Sequence, residues 1–331
     1  MTTGTVPASG TPGAPDAAGV EGGARSGLRR RPSHRALKEF IAGHLFILPA
    51  ILGLGLLAVY PLVTSGYHAF TDWNGLTPAK WTGWKNFDYV LRHDPTFWPS
   101  LRATGLFVLM SVPASLVVGL ALAVLVNRPL RGVRIFRTIF YLPVVLPSIA
   151  VLALWKYIYD PQYGLANETL KALHLPTSMW LGSTQMAMPA VVLVGLWGIG
   201  GTMMIFLAGL QAVPAELYEA AQVDGAGPVR TFFRITLPMI TPILLLQLVL
   251  QINLTFQTFN QIAVLTQGKP GTTTDVLMYK IYMDGFGNYL SSPQLGYATA
   301  EVWVLFVIVM AVTAATLRFS SIWVYSGEGD R

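Results

Sequence analysis

The sequence contains no cysteine, which excludes disulfides, thiol nucleophiles and Cys-ligated zinc or iron–sulfur sites. Charge is scarce too. Lys, Arg, Asp and Glu make up 11% of the 331 residues, where a soluble domain carries about a quarter. Neither H-E-x-x-H nor G-x-S-x-G occurs, and the five histidines (His34, His44, His68, His93, His174) are scattered along the chain. No hydrolase or metal chemistry is therefore written in it. G-x-x-x-x-G-K-[ST] is missing as well, so the chain has no loop of that kind to cradle nucleotide phosphates.

What the chain has is apolar surface: 53% of its residues are hydrophobic and its mean hydropathy is +0.52. The formal charge of +6 reads as membrane topology rather than as a nucleic-acid footprint. Its basic residues stand beside hydrophobic runs, not among aromatics on one face.

A bilayer core needs about 20 mostly apolar residues per helix. Residues 40–65, 104–126, 138–158, 186–210, 237–259 and 297–318 each qualify, which predicts six spans with both chain ends on one side. Pro49, Pro61, Pro113, Pro143, Pro147 and Pro189 fall inside or near these runs, as membrane helices tolerate where neighbours re-satisfy the freed backbone groups. Residues 1–36, rich in Ala, Gly, Pro, Thr and Ser, predict a disordered tail. They lack a short apolar region with a cleavage site, so no cleaved signal peptide is expected. Residues 37–320 then form the membrane domain and 321–331 a short tail. Arg25, Arg29, Arg30, Arg31, Arg35 and Lys38 precede the first span, and Arg128, Arg131, Arg134 and Arg137 fill the 2–3 loop. That bias predicts cytoplasmic N- and C-termini, with the 2–3 and 4–5 loops on the same side.

The 4–5 loop, residues 211–237, opens the charged stretch PAELYEAAQVDGAGPVRTFFRITLP at 214–238. Pro214 suits the first turn of a helix, and Glu216 and Glu219 lie near its positive end. Leu217, Ala220, Ala221 and Asp224 recur at helical spacing and predict one face, smooth at the two alanines. Gly225 stops the helix, and a second one starts near Pro228 and enters the fifth span. Physics alone leaves two readings open: a helix packing on its own bundle, or an element docking in another protein's groove.

The pattern Glu219-Ala220-Ala221, Asp224-Gly225-Ala226 and Ile235-x-Leu237-Pro238 resembles the EAA motif of ABC importer permeases. The resemblance extends over residues 40–318. It is nearest the maltose-type first permease of a heterodimeric pair, as in GLALAVLVNRPLRGVRIFRTIFYLPVVLPSIAVLALWKYIYDPQYGLAN and VLTQGKPGTTTDVLMYKIY. It implies an all-α integral membrane fold, six transmembrane helices with a cytoplasmic coupling helix, the type I importer permease fold. It also implies that Glu216, Glu219, Ala220, Ala221, Asp224, Gly225, Ala226, Ile235, Leu237 and Pro238 couple to a separate ATPase subunit. The implied chain is no enzyme and binds no cofactor, ATP and magnesium belonging to the ATPase dimer. Its other implied partners are a second permease subunit, an extracytoplasmic solute-binding protein, and a sugar or oligosaccharide, in a bacterial plasma membrane. Gly268-Lys269-Pro270 replaces the commoner Gly-Gly-Pro of that group, and the cargo stays open.

The fifth span is polar for a membrane helix. At 100° per residue Gln247, Gln251 and Thr258 fall on one line, and Asn253, Gln257 and Asn260 on another. Amides and hydroxyls can serve sugar hydroxyls without demanding charge, and Trp197 offers a face for a ring. The competing reading is helix–helix hydrogen bonding. Glu301 is the one acid inside a span, a functional candidate by default. A secondary transporter or channel is the alternative function. That class usually keeps more intramembrane ionisable groups than this chain does.

Overall fold

A computed structural model describes residues 34–128, 132–287 and 294–325. Most of the predicted tail (1–33), Arg131, and residues 326–331 lie outside the described residues. The chain divides into two compact units, 1–59 and 60–331.

In the first unit, α1 (His34–Leu54) runs into a π-type turn at Gly55–Val59. Residues 34–36, predicted as the end of the disordered tail, are helical instead. Ala36 and the good helix formers that follow it (Leu37, Lys38, Glu39) favour this, so the helix begins ahead of the apolar run. Leu45, Phe46 and Leu57 are largely exposed, which suits a helix surrounded by lipid. Helical residues Ala42–His68 are together long and apolar enough to cross a membrane.

The second unit contains α2 (Tyr60–His68), α3 (Lys85–Asp88) with a π-type turn at Tyr89–His93, α4 (Phe97–Asn127), α5 (Val133–Val145), α6 (Ser148–Ile158) and α7 (Leu165–Ala172). Next come α8 (Ala187–Trp197), α9 (Gly200–Gln211), α10 (Ala215–Val223), α11 (Pro228–Thr231) and α12 (Leu237–Met239). The series closes with α13 (Thr241–Phe256), α14 (Asn260–Leu265), α15 (Leu277–Tyr282) and α16 (Leu295–Ser320). The long α4 lies centrally and packs on α8, α9, α13 and α15. Phe206, Met203, Ala123, Val126 and Ile240 form one fully buried cluster between these helices. Leu277 donates its N–H to Thr104 Oγ1 at 2.8 Å, joining α15 to α4. Tyr325 donates to Thr241 Oγ1 at 2.8 Å, joining the end of the described chain to the start of α13.

All six predicted runs are helical, but three of them are broken. Among the described residues, three helices are long and apolar enough to cross a membrane, or six if each bent pair is one span. The bends are 101° between α5 and α6, 55° between α8 and α9, and 67° between Pro228–Met239 and α13. At the first, Pro147 forces Leu146 into an extended conformation, ψ 146°, as proline does to the residue before it. Gly198, at ψ 17°, leaves helical geometry at the second, and Ile240 does so just before Thr241-Pro242 at the third.

A close crossing sets the start of α9 against α5. A Cβ on Gly200 would run into the carbonyl oxygen of Phe140 and stand 2.8 Å from Tyr141 Cα. Backbone cannot step aside as a side-chain tip can. Gly200→Ala is expected to destabilise the protein by roughly 1–3 kcal/mol, the range for overpacking. The check is a lowered melting temperature in detergent. An unchanged melt would mean the crossing has slack.

Candidate functional site

The three breaks matter because a broken helix leaves N–H and C=O groups without intrahelical partners. At membrane depth these must line a cavity or be covered by protein. A cavity of about 410 Å³ lies where the ends of α5, α6, α8 and α14 come together. Trp197, Phe259, Gln257, Thr258, Asn260, Gln261 and Ser148 supply its polar and aromatic lining, and no ionisable residue contributes. Trp197 meets Trp155 edge-on at 6.0 Å. Gln261 Oε1 is buried without a hydrogen-bond partner, so an acceptor beside the cavity is unused.

The fifth span is where the helical-line argument needs correcting. Helix α13 stops at Phe256, so Gln257 and Thr258 stand in a non-helical link and Asn260 opens a new helix. The 100° spacing therefore fails beyond Phe256. Gln257 and Thr258 reach the cavity with Trp197; Gln247, Gln251 and Asn253 do not line it. Gln251 donates to Thr202 Oγ1 at 2.7 Å and ties α13 to α9. Asn253 donates to Val249 O in its own helix at 2.9 Å. Gln247 is buried with its Nε2 unpaired. Ser148 was not legible as a site residue, although the Leu146-Pro147 break beside it is a usable signal.

Glu301 lies elsewhere, at the N-terminal end of α16, in a buried ionic cluster. Lys280 Nζ donates to Glu301 Oε1 at 2.6 Å, reaches Asp94 Oδ2 at 2.7 Å, and also pairs with Asp284. Asp94 further accepts from Thr96 N and Oγ1, both at 2.7 Å, and from the Tyr297 hydroxyl. The Lys280, Asp94 and Glu301 side chains are 5%, 6% and 0% exposed. Burial alone would raise the Asp94 carboxyl, but Lys280, Tyr297 and Thr96 outweigh it and hold it well below the usual carboxylate range. Burial would lower Lys280; the Glu301, Asp284 and Asp94 carboxylates lift it above its ordinary value. The cluster clamps the entry to α4 onto α15 and α16.

The charged stretch folds as a helical hairpin. After α10, Gly225 takes φ +69°, with Ala226 N–H bonded to Ala221 O at 2.9 Å and Gly225 N–H to Gln222 O at 3.1 Å. This is the Schellman closure that glycine favours. The predicted smooth face splits: Ala221 is buried, whereas Ala220, Leu217 and Asp224 point out. The Tyr218 and Thr236 hydroxyls hydrogen-bond at 3.1 Å across the hairpin. Glu216, Glu219, Ala220, Asp224 and Gly225 are exposed, and Ala226, Ile235, Leu237 and Pro238 half-buried. Neither Glu216 nor Glu219 has an ion-pair partner among the described residues.

Residues 115–326 match the family described as binding-protein-dependent transport system inner membrane component. The probable ABC transporter permease protein YesP of Bacillus subtilis is 36% identical, over 89% of this chain and 95% of its own. The sulfoquinovosyl glycerol transport system permease protein SmoG of Agrobacterium fabrum is also 36% identical, over 83% of this chain and 88% of its own. The crystal structure of a bacterial ABC transporter that imports the acidic polysaccharide alginate superposes with TM-score 0.76 at 24% identity, covering 87% of this chain and 97% of that one. Bent apolar helices, an EAA-type hairpin and these likenesses agree: the chain belongs to the binding-protein-dependent inner membrane components and is a membrane permease subunit of an ABC importer.

Proposed function

We propose that the chain forms one half of the path for a neutral sugar or oligosaccharide, with the hairpin around α10 coupling it to a separate ATPase. The carrying observation is the cavity at the helix breaks. It offers an indole, three amides and two hydroxyls, and nothing ionisable. Sugar hydroxyls pair with such groups. Anionic cargo is held best by Arg or Lys, and none lines this cavity. Relatives named for sn-glycerol-3-phosphate and sulfoquinovosyl glycerol transport therefore share the family without setting this cargo.

The exposed α10 face, with Glu216 and Glu219 in the first two turns and Gly225 at the turn, suits insertion into a groove of the ATPase. In this reading the hairpin and both termini are cytoplasmic, as the arginines of the 2–3 loop favour. ATP and magnesium sit on the ATPase dimer, and this chain binds no cofactor. A second permease subunit completes the path, and an extracytoplasmic binding protein delivers the cargo, in a bacterial plasma membrane. Nucleotide moves the hairpin only by stabilising one state over the other.

Trp197→Ala tests the path. Uptake by the reconstituted complex is expected to need about three to ten times more cargo for half-saturation, roughly 1 kcal/mol of lost contact. Unchanged half-saturation and maximal rate at normal expression would take the cavity off the path.

A further inference from the structure

A second cavity, about 620 Å³, lies between the end of α4 and the hairpin, with Arg128, Asn127, Gln222 and Thr231 in its wall. A third, about 660 Å³, is almost wholly apolar and follows α4 along Leu116, Leu120 and Ala121. Val124 and Phe232 line both. The two spaces are therefore neighbours, polar at one end and hydrocarbon-like at the other.

Their length fits one molecule. From Leu116 to Arg128 the helix rises about 18 Å, close to the roughly 15 Å of one leaflet's hydrocarbon. No acidic residue lines either cavity. The side chains of Arg128, Asn127 and Gln222 make no hydrogen bond or ion pair with other described residues, and their donors face the cavity wall. Basic pockets between membrane helices at the cytoplasmic side are where anionic head groups bind.

We propose that this paired cavity is a binding site for an acidic glycerophospholipid. The phosphate lies against Arg128 and the amides of Asn127 and Gln222, and one acyl chain runs along α4 past Val124 and Phe232. Gln222 and Thr231 flank the Gly225 turn, so the head group bears on both arms of the hairpin. Motion of the hairpin then becomes dependent on acidic lipid. The site requires only that this end of α4 meets a membrane surface; the leaflet follows from the orientation proposed above and is tested separately.

The test is native mass spectrometry of the full-length protein purified with its partner subunits and titrated with phosphatidylglycerol or phosphatidylcholine. Phosphatidylglycerol is expected to bind saturably and in preference. Arg128→Gln should weaken that binding about fivefold, the scale of one basic contact at a membrane surface. Ala121→Trp, which fills the apolar track without changing charge, should weaken it too. Equal binding of the two lipids, or no effect of either variant, overturns the proposal. So does glycerol phosphate binding as tightly as the whole lipid, because the track would then play no part. Lipid binding to the isolated chain but not to the assembled complex also overturns it, by assigning the groove to a partner subunit.

Discussion

Replacing Gly225 with aspartate is expected to stop transport while the protein still folds and inserts. The φ of +69° is one that aspartate tolerates better than most residues, and nothing lies within 4 Å of the added Cβ. The local strain is then about 1–2 kcal/mol. The new carboxylate, however, joins Asp224 at the negative end of α10 and projects from the surface proposed to enter the ATPase. An unpaired charge buried at an interface costs about 2–5 kcal/mol, a loss of about 30-fold or more in assembly. The check is uptake together with co-purification of the ATPase, normalised to inserted protein. Normal uptake would remove the hairpin from coupling. Loss of uptake with full ATPase binding would place its role after docking.

Lys280→Met is expected to be the most damaging single change to stability. It leaves Asp94 and Glu301 buried without their cation, and breaking a buried pair from one side costs about 3–5 kcal/mol. The melting temperature in detergent should fall sharply, with little protein recovered. Near-normal stability would mean that the acids find other partners. The depressed Asp94 contributes stability that is fully present above its unfolded pKa near 3.9 and is lost as pH falls through the lower folded value. The raised Lys280 contributes stability present below about 10.4 and lost only as pH climbs through its folded value. Burial pushes Asp275 up despite a hydrogen bond from Ser100, so its share runs the other way and declines as pH rises from about 4. Below about pH 4 the Asp94 share is therefore lost while that of Asp275 opposes the loss, and above about pH 10.4 the Lys280 share is lost.

The six apolar runs are legible because lipid imposes length and hydropathy on every span, whatever the helices do inside. The breaks are harder to read. Pro147 marks one by a local rule, but Pro113 sits within an unbroken α4, so proline alone does not decide. At the α8–α9 break the glycines Gly198, Gly200 and Gly201 are a local trace, but the close approach of Gly200 to the backbone of Phe140 and Tyr141 is a tertiary contact the local sequence does not name. The two helices of the hairpin and its glycine turn are legible, since glycine, prolines and acids act through neighbours a few residues away; its face is not, because Ala221 turns inward while Leu217, Ala220 and Asp224 stay exposed. The polar residues of the fifth span divide between cavity and packing only once α13 is seen to end at Phe256. Glu301 is visible as an oddity; its pairing with Lys280, 21 residues earlier, comes from how α15 folds back on α16.

The clamp also has a history in time. Asp94 takes a hydrogen bond from Tyr297, 203 residues further along the chain, and Ser100 donates to Asp275, 175 residues away. At about 5–20 residues per second, the ribosome needs roughly ten to forty seconds to bring Tyr297 out after Asp94. For most of that interval α4 is already made, while Lys280 and Tyr297, which hold its entrance, do not yet exist. Asp94 must wait in water or head groups, and the bundle closes last at the point where its first third meets its final helix.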